Sequence, residues 1–122
     1  MALQIKRIYD PFEESDGIRL LVDRLWPRGV SKEHAHLDGW VKDLAPSSQL
    51  REWFSHQAEN FAEFTALYRA ELDANPDAQE AARQVILQSK ENTVTLLYGA
   101  KDPQLNHAIV LRAYLYEKSK AV

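Results

Sequence analysis

Two short apolar runs set the limits on what this chain can fold into. Ile18–Val22 and Thr93–Tyr98 each read as a buried strand, and the roughly seventy residues between them read mostly as loop and helix. Strands joined across a long helical stretch are parallel neighbours, because the chain must return to the starting end before it pairs again. A third run, Leu3-Gln4-Ile5-Lys6-Arg7-Ile8-Tyr9, alternates apolar and polar residues as a half-buried strand does. Its link to Ile18 is short for a parallel crossover, so a parallel pairing and an edge hairpin both stay open for it.

Between the two apolar runs, Ser31 opens a short helical turn, with His34 at the capping-box position. Leu37 to Leu44 reads as helix, ended by Ala45-Pro46. Ser47 or Ser48 then caps a helix carrying Leu50, Trp53 and Phe54, with Trp53 expected to face the core. Phe61, Phe64, Tyr68 and Leu72 follow at the spacing of one face of an amphipathic helix. Asn75-Pro76 closes that helix and opens another, whose inner stripe is Ala78, Ala82, Val85 and Ile86. After Tyr98 a tight loop, Gly99 to Lys101, leads to Asp102-Pro103, where a last helix starts and runs to about Tyr116. The expectation is one α/β domain over residues 1–122. It has a small, mainly parallel sheet flanked by helices on both faces, three-layer α/β/α-like.

Composition enters as a set of exclusions. There is no cysteine, which removes disulfides, zinc–thiolate sites and thiol chemistry and fits a reducing cytoplasm. The start, Met1-Ala2-Leu3-Gln4-Ile5-Lys6-Arg7, does not read as a secretion leader. No apolar run approaches the roughly 20 residues that cross a bilayer. A cytoplasmic protein without a membrane partner is therefore expected. The net charge of −3 argues against a surface built throughout for nucleic acid. The charge is uneven, however: from Arg19 to Lys32 there are four cations against the single Asp23, while Asn60 to Glu80 is strongly acidic.

Ligands of open parallel sheets bind outside the carboxyl ends of the strands. Two loops leave such ends here, Asp23-Arg24-Leu25-Trp26-Pro27-Arg28-Gly29 and Tyr98-Gly99-Ala100-Lys101-Asp102. With parallel strands both open on one edge, so Arg24, Arg28 and Lys101 would converge beside a helix amino terminus, an arrangement that favours anions. Trp26, Tyr98, Asp102 and Asn106 complete the candidate ligand set. His107 and Asp23 are the candidate acid–base residues, since an imidazole can exchange a proton near neutral pH. Each has a plainer role to set beside this one: Asp23 and Arg24 neutralising a strand end, Trp26 covering the sheet, Asp102 capping a helix, His107 hydrogen-bonded in the core. Arg51, Trp53 and His56 form a second polar and aromatic cluster, from which Arg51 or His56 would rim the same cleft. His34-Ala35-His36-Leu37-Asp38 has the spacing of some metal ligands, but nothing downstream completes a set of three or four, so no metal is expected. No glycine-rich phosphate loop and no nucleophile elbow occurs, and no cofactor is called for.

Taken together, Val22-Asp23-Arg24-Leu25-Trp26-Pro27-Arg28-Gly29, Arg7-Ile8-Tyr9-Asp10, Asp16-Gly17, Leu50-Arg51-Glu52-Trp53-Phe54-Ser55-His56 and Thr95-Leu96-Leu97-Tyr98-Gly99-Ala100-Lys101-Asp102 resemble the YeaO-like bacterial family, a family of unknown function. The likeness continues through Ala45-Pro46-Ser47, Tyr68-Arg69-Ala70-Glu71-Leu72 and Asn106-His107-Ala108, and so covers nearly the whole chain. It implies a small α/β fold with the strand-exit motifs facing one cleft, in a bacterial cytoplasmic protein. More distant relatives carry Cys-His-Arg where Asn106-His107-Ala108 stands here, and a cysteine near Gly99. Those groups are missing from this chain, so their thiol chemistry does not carry over. The reading expected from the residues is a cleft for a small phosphate-bearing or carboxylate anion. The alternatives are a nucleic-acid module using Arg24, Arg28 and Lys32 on phosphates with Trp26 stacked on a base, and an interaction domain without a small ligand.

Overall fold

A computed structural model describes residues 1–55 and 57–121. The described residues form a parallel four-stranded sheet in the order β1 (Ala2–Arg7), β4 (Thr93–Tyr98), β2 (Ile18–Leu21), β3 (Gly39–Trp40). Ile5 pairs with Leu96 and Leu20 with Leu96 from the other side, so β4 is an interior strand, as is β2 between β4 and β3. The continuous apolar character of β4 follows, since both its faces and both its edges are covered. The parallel pairing of β2 with β4 is the one the long crossover demands. For β1 the structure selects the parallel pairing and removes the hairpin.

The link from β1 to β2, residues 8–17, crosses β4 without an α-helix, holding only the single 3-10 turn Glu14–Asp16. It can, because ten extended residues reach roughly 33 Å. Returning along a six-residue strand and across two strand spacings needs only about 22 Å. The link lies on the sheet face that carries Lys6, Arg19 and Thr95. Thr95 donates to the Asp16 carbonyl at 2.7 Å, and the Asp16 carboxylate takes Lys6 at 3.0 Å and the Arg19 guanidinium. Arg19 is 1% exposed. Its Nε and Nη2 donate to the Ala35 and His36 carbonyls, so burial leaves its charge paired and each of its nitrogens bonded.

The main core lies on the other face. Leu3, Leu20, Val22, Val94, Leu96 and Tyr98 point into α3 (Phe61–Ala74), α4 (Pro76–Glu91) and α5 (His107–Ser119), with Leu50 and Phe54 of α2 (Ser48–Phe54) closing one end. The stripes Phe64-Tyr68-Leu72 and Ala78-Ala82-Val85-Ile86 are buried as their spacing requires. Asn75 caps α4 through its side chain, with Pro76 in the first turn. The layer on the charged face is thin. There a smaller cluster of Ile8, Leu21, Ala35 and Leu97 is covered by Trp26, Val30, Leu37 and Trp40, and the only α-helix on this face among the described residues is the single turn α1 (Lys32–Ala35).

Three local expectations need correction. Leu37 to Leu44 is not a helix: Gly39 and Trp40 pair with Leu20 and Leu21 as β3, and a 3-10 turn covers Lys42–Leu44. Trp53 is 44% exposed, and Phe54 takes the core position in its place. The last helix begins at His107 rather than Asp102, because Asp102 uses its carboxylate to hold the N–H groups of Gln104 and Leu105 in a separate turn, leaving Asn106 as the cap.

Candidate functional site

Parallel pairing brings the ends of β2 and β4 to one edge, and the residues that leave them are tied together at once. Val22 still donates to the Leu97 carbonyl at 3.0 Å. One residue on, the Gly99 N–H donates to Asp23 Oδ2 at 2.9 Å, and the Trp40 indole donates to the Asp23 carbonyl at 2.7 Å. A methyl group on Gly99 would stand 2.9 Å from that carboxylate oxygen, so the absence of a side chain there is what lets the two exits meet.

His107 stands in the first turn of α5. Its Nε2 lies 3.0 Å from the Val22 carbonyl and 3.1 Å from Asp23 Oδ1. Both neighbours are acceptors, so Nε2 carries the ring proton in every protonation state. That proton is aimed at Val22, and Asp23 Oδ1 is left buried without a well-formed hydrogen bond among the described residues. The edge of the Tyr68 ring packs on His107, at 6.2 Å between centroids, while the Tyr68 hydroxyl donates to the Leu44 carbonyl. Burial, reinforced by the negative charges of Asp23 and Glu71, pushes the Tyr68 hydroxyl well above its ordinary pKa, with Arg24 opposing. Tyr68 thus backs His107 with a neutral ring.

In front of this group is a cleft of about 210 Å³. Asp23, Gly99, Asn106 and His107 form one side, Arg24 and Arg51 the charged side, and Pro46, Phe54, Phe64 and Ala100 the apolar walls. Arg24 is fixed by its Nε–H on the Pro46 carbonyl at 3.1 Å and by Nη2 near the Ala45 carbonyl. Arg51 reaches the cleft from α2. That helix is held by Ser47, whose hydroxyl caps the Leu50 N–H and donates to Glu71 on α3. Among the described residues neither Arg24 nor Arg51 has a carboxylate within ion-pair distance, and the Arg51 guanidinium has no hydrogen-bond partner. The lining includes no hydroxyl, thiol or amine side chain among the described residues. Its chemical capacity is charge, hydrogen bonding and proton exchange through Asp23 and His107.

Of the residues singled out by sequence, the structure brings Asp23, Arg24, Arg51, Asn106 and His107 into one cleft. Asn106 is there as framework: its side chain caps the Ile109 N–H, donates to the Asp102 carbonyl and bonds the Tyr98 hydroxyl, which is itself buried. Trp26 is not in the lining. It packs edge-on against Trp40 and donates to the Val30 carbonyl at 2.6 Å, on the opposite side of the sheet. Arg28, Lys101 and Asp102 are exposed and outside the lining. His56 lies outside the described residues. Phe54, Phe64 and Pro46 read as packing or turn residues in sequence, and only the spacing of Arg51 and Phe54, one helical turn apart, hinted that a charge and an aromatic share a face. Among the described residues no group of three or more His, Cys, Asp or Glu is placed to hold a metal ion, and no helix is long and apolar enough to cross a membrane.

A family model described as the inactive DUF488-N3 subclade matches residues 2–122. A protein of Escherichia coli K12 named YeaO, itself uncharacterized, is 46% identical over 94% of this chain and 97% of its own length. Uncharacterized proteins of Mycobacterium bovis (Mb3100c) and Mycobacterium tuberculosis (Rv3073c) are 35% identical over 93% of this chain and 92% of theirs. No solved structure matches.

Proposed function

Because the chain belongs to the inactive DUF488-N3 subclade, a YeaO-like family, we propose that its cleft is a binding site for a small oxyanion, phosphate-bearing or carboxylate, and carries out no covalent chemistry. The observation that carries this reading is the pair Arg24 and Arg51, two guanidinium groups on one 210 Å³ cleft whose single carboxylate among the described residues, Asp23, is within ion-pair distance of neither and is held by the Gly99 N–H and His107 instead. Planar guanidinium donors suit carboxylate and phosphate oxygens. A lining without a hydroxyl, thiol or amine side chain among the described residues accords with the word inactive in the family's description. Size restricts the ligand further. At roughly 30 Å³ per water molecule, the cleft holds about seven waters' volume. That suits a short organic acid or a small phosphate ester. The apolar walls of Phe54, Phe64 and Pro46 favour a ligand with some hydrocarbon body over a bare ion.

The nucleic-acid alternative requires Trp26 as a stacking surface, and its indole is engaged with Trp40 and Val30 instead. Thermal unfolding at low ionic strength with sulfate, inorganic phosphate and pyruvate tests the anion reading. Saturating ligand, at about a hundred times its Kd, should add about 2.7 kcal/mol and raise Tm by roughly 10 °C. Arg51→Gln, which breaks no bond within the described residues, should abolish most of the shift. An unchanged Tm with every anion, or an equal shift in Arg51→Gln, sinks the proposal.

A further inference from the structure

The two nitrogens of His107 have unlike surroundings. Nε2 faces the Val22 carbonyl and Asp23 Oδ1, both acceptors, and must hold a proton whether the ring is neutral or charged. Nδ1 has no hydrogen-bond partner among the described residues, yet it is not among the buried unpaired atoms, so it is open, on a residue that lines the cleft. In the neutral ring Nδ1 is a lone pair, which repels an anion's oxygen. In the charged ring it is an N–H donor beside Arg24 and Arg51.

Resting on the anion-site reading above, we infer that His107 is the third ligand-contacting donor of the cleft. The cleft takes up its oxyanion together with one proton, bound at Nδ1. The groups that face His107 fix how this works. Asp23, from the loop after β2, supplies the negative charge that stabilises the charged ring. Tyr68, from α3, contributes a neutral ring edge. Arg24 and Arg51, from that loop and from α2, oppose the ring's charge until an anion neutralises them. Asn106, its neighbour on α5, is occupied in capping and adds no charge. An anion in the cleft removes the opposition of the two arginines, so anion and proton favour each other's binding, which is the linkage between the two ligands. The balance is simple: one anion enters, and one proton passes from water or buffer to the Nδ1 lone pair and forms an N–H bond there. The anion itself is unchanged, and both leave together.

Sulfate and pyruvate suit the test, because neither changes its own charge across the range in which imidazoles titrate, about pH 5 to 8. Calorimetric titration should show affinity falling by about tenfold per pH unit at the upper end of that range and levelling off at the lower end. In two buffers of different ionisation enthalpy, the heats should differ by up to one proton per anion bound. In His107→Asn, whose amide nitrogen takes the place of Nδ1 and donates at every pH, the dependence should vanish. Nitrogen NMR of the free protein should show the neutral ring protonated on Nε2. Binding with a flat pH profile and no proton uptake overturns this inference and leaves the anion site standing, as does a neutral ring protonated on Nδ1. A lack of binding by both probes at every pH removes the anion site and this inference with it.

Discussion

At the end of β2, Asp23 connects three parts of the chain: its carbonyl takes the Trp40 indole, one carboxylate oxygen takes the Gly99 N–H, and the other faces His107. A charge held by a backbone donor in this way is strongly sensitive to crowding. A Cβ at position 99 would sit 2.9 Å from Oδ2, with the Pro27 and Tyr9 side chains at 4.0 Å behind it. Gly99→Ala should therefore push the carboxylate off its donor and cost about 1–3 kcal/mol, the usual penalty for a buried polar group left unpaired. Urea unfolding at neutral pH measures this, and a variant as stable as wild type would mean that the Asp23–Gly99 bond contributes nothing. The pairing of the two strand exits was legible in sequence, since Asp23 and Gly99 follow the two best strands. The direction of each side chain beyond them was not. Arg24 and Arg28 are four residues apart in a loop without helical periodicity, and only the carbonyls of Ala45 and Pro46 decide that Arg24 turns into the cleft.

Element by element, what could be read was whatever carried its own period or cap. α3 and α4 show their buried stripes and the Asn75-Pro76 boundary directly. β3 shows neither, because two residues are too few for alternation, and it exists only because Leu20 and Leu21 offer it an edge. The start of α5 was misplaced for a related reason: Asp102-Pro103 and Asn106 are both good starts, and the choice falls to Asn106, which is bonded to Tyr98 on β4 and to the Asp102 carbonyl. Two glycines give a test at this scale. Gly17 (φ 67) and Gly29 (φ 79) both adopt the left-handed region, but a Cβ on Gly17 would meet the Thr93 carbonyl oxygen at 2.2 Å, whereas one on Gly29 meets nothing within 4 Å. Gly29→Ala should cost about 1–2 kcal/mol from backbone conformation alone. Gly17→Ala must in addition displace the link from the start of β4, and should lose upwards of about 3 kcal/mol. Equal losses in thermal melts of the two variants would mean that the link is not seated against Thr93.

For the molecule as a whole, the parallel sheet followed from the length of the crossover, and the placement of β1 did not, because the link that places it works through charge rather than through a helix. That link is fastened by Asp16. Burial alone would raise the Asp16 pKa, but the Glu13 backbone N–H, the Lys6 ammonium and the Arg19 guanidinium outweigh it and hold the carboxyl below its ordinary value. Lys6 is displaced the other way: desolvation opposes its charge, and its bonds to Asp16 and Glu13 carry its pKa above the ordinary lysine value. The signs then fix a window. A carboxyl with a depressed folded pKa contributes its full stabilisation above the unfolded value, about 3.9, and loses it as pH falls through the folded value. A raised lysine contributes below about 10.4 and loses its share as pH rises through its folded pKa. Asp16→Asn keeps the size of the side chain and removes its charge, leaving Arg19 buried without a counter-ion. At neutral pH it should lower the unfolding free energy by about 2–4 kcal/mol. The gap between wild type and variant should stay level down to about pH 4 and close below it, as the wild-type carboxyl takes up its proton. Urea unfolding of both proteins at several pH values measures the gap directly. If it is the same below pH 4 as at neutrality, the Asp16 charge is not what holds β1 and β2 on either side of β4, and the packing of the link would have to do so instead.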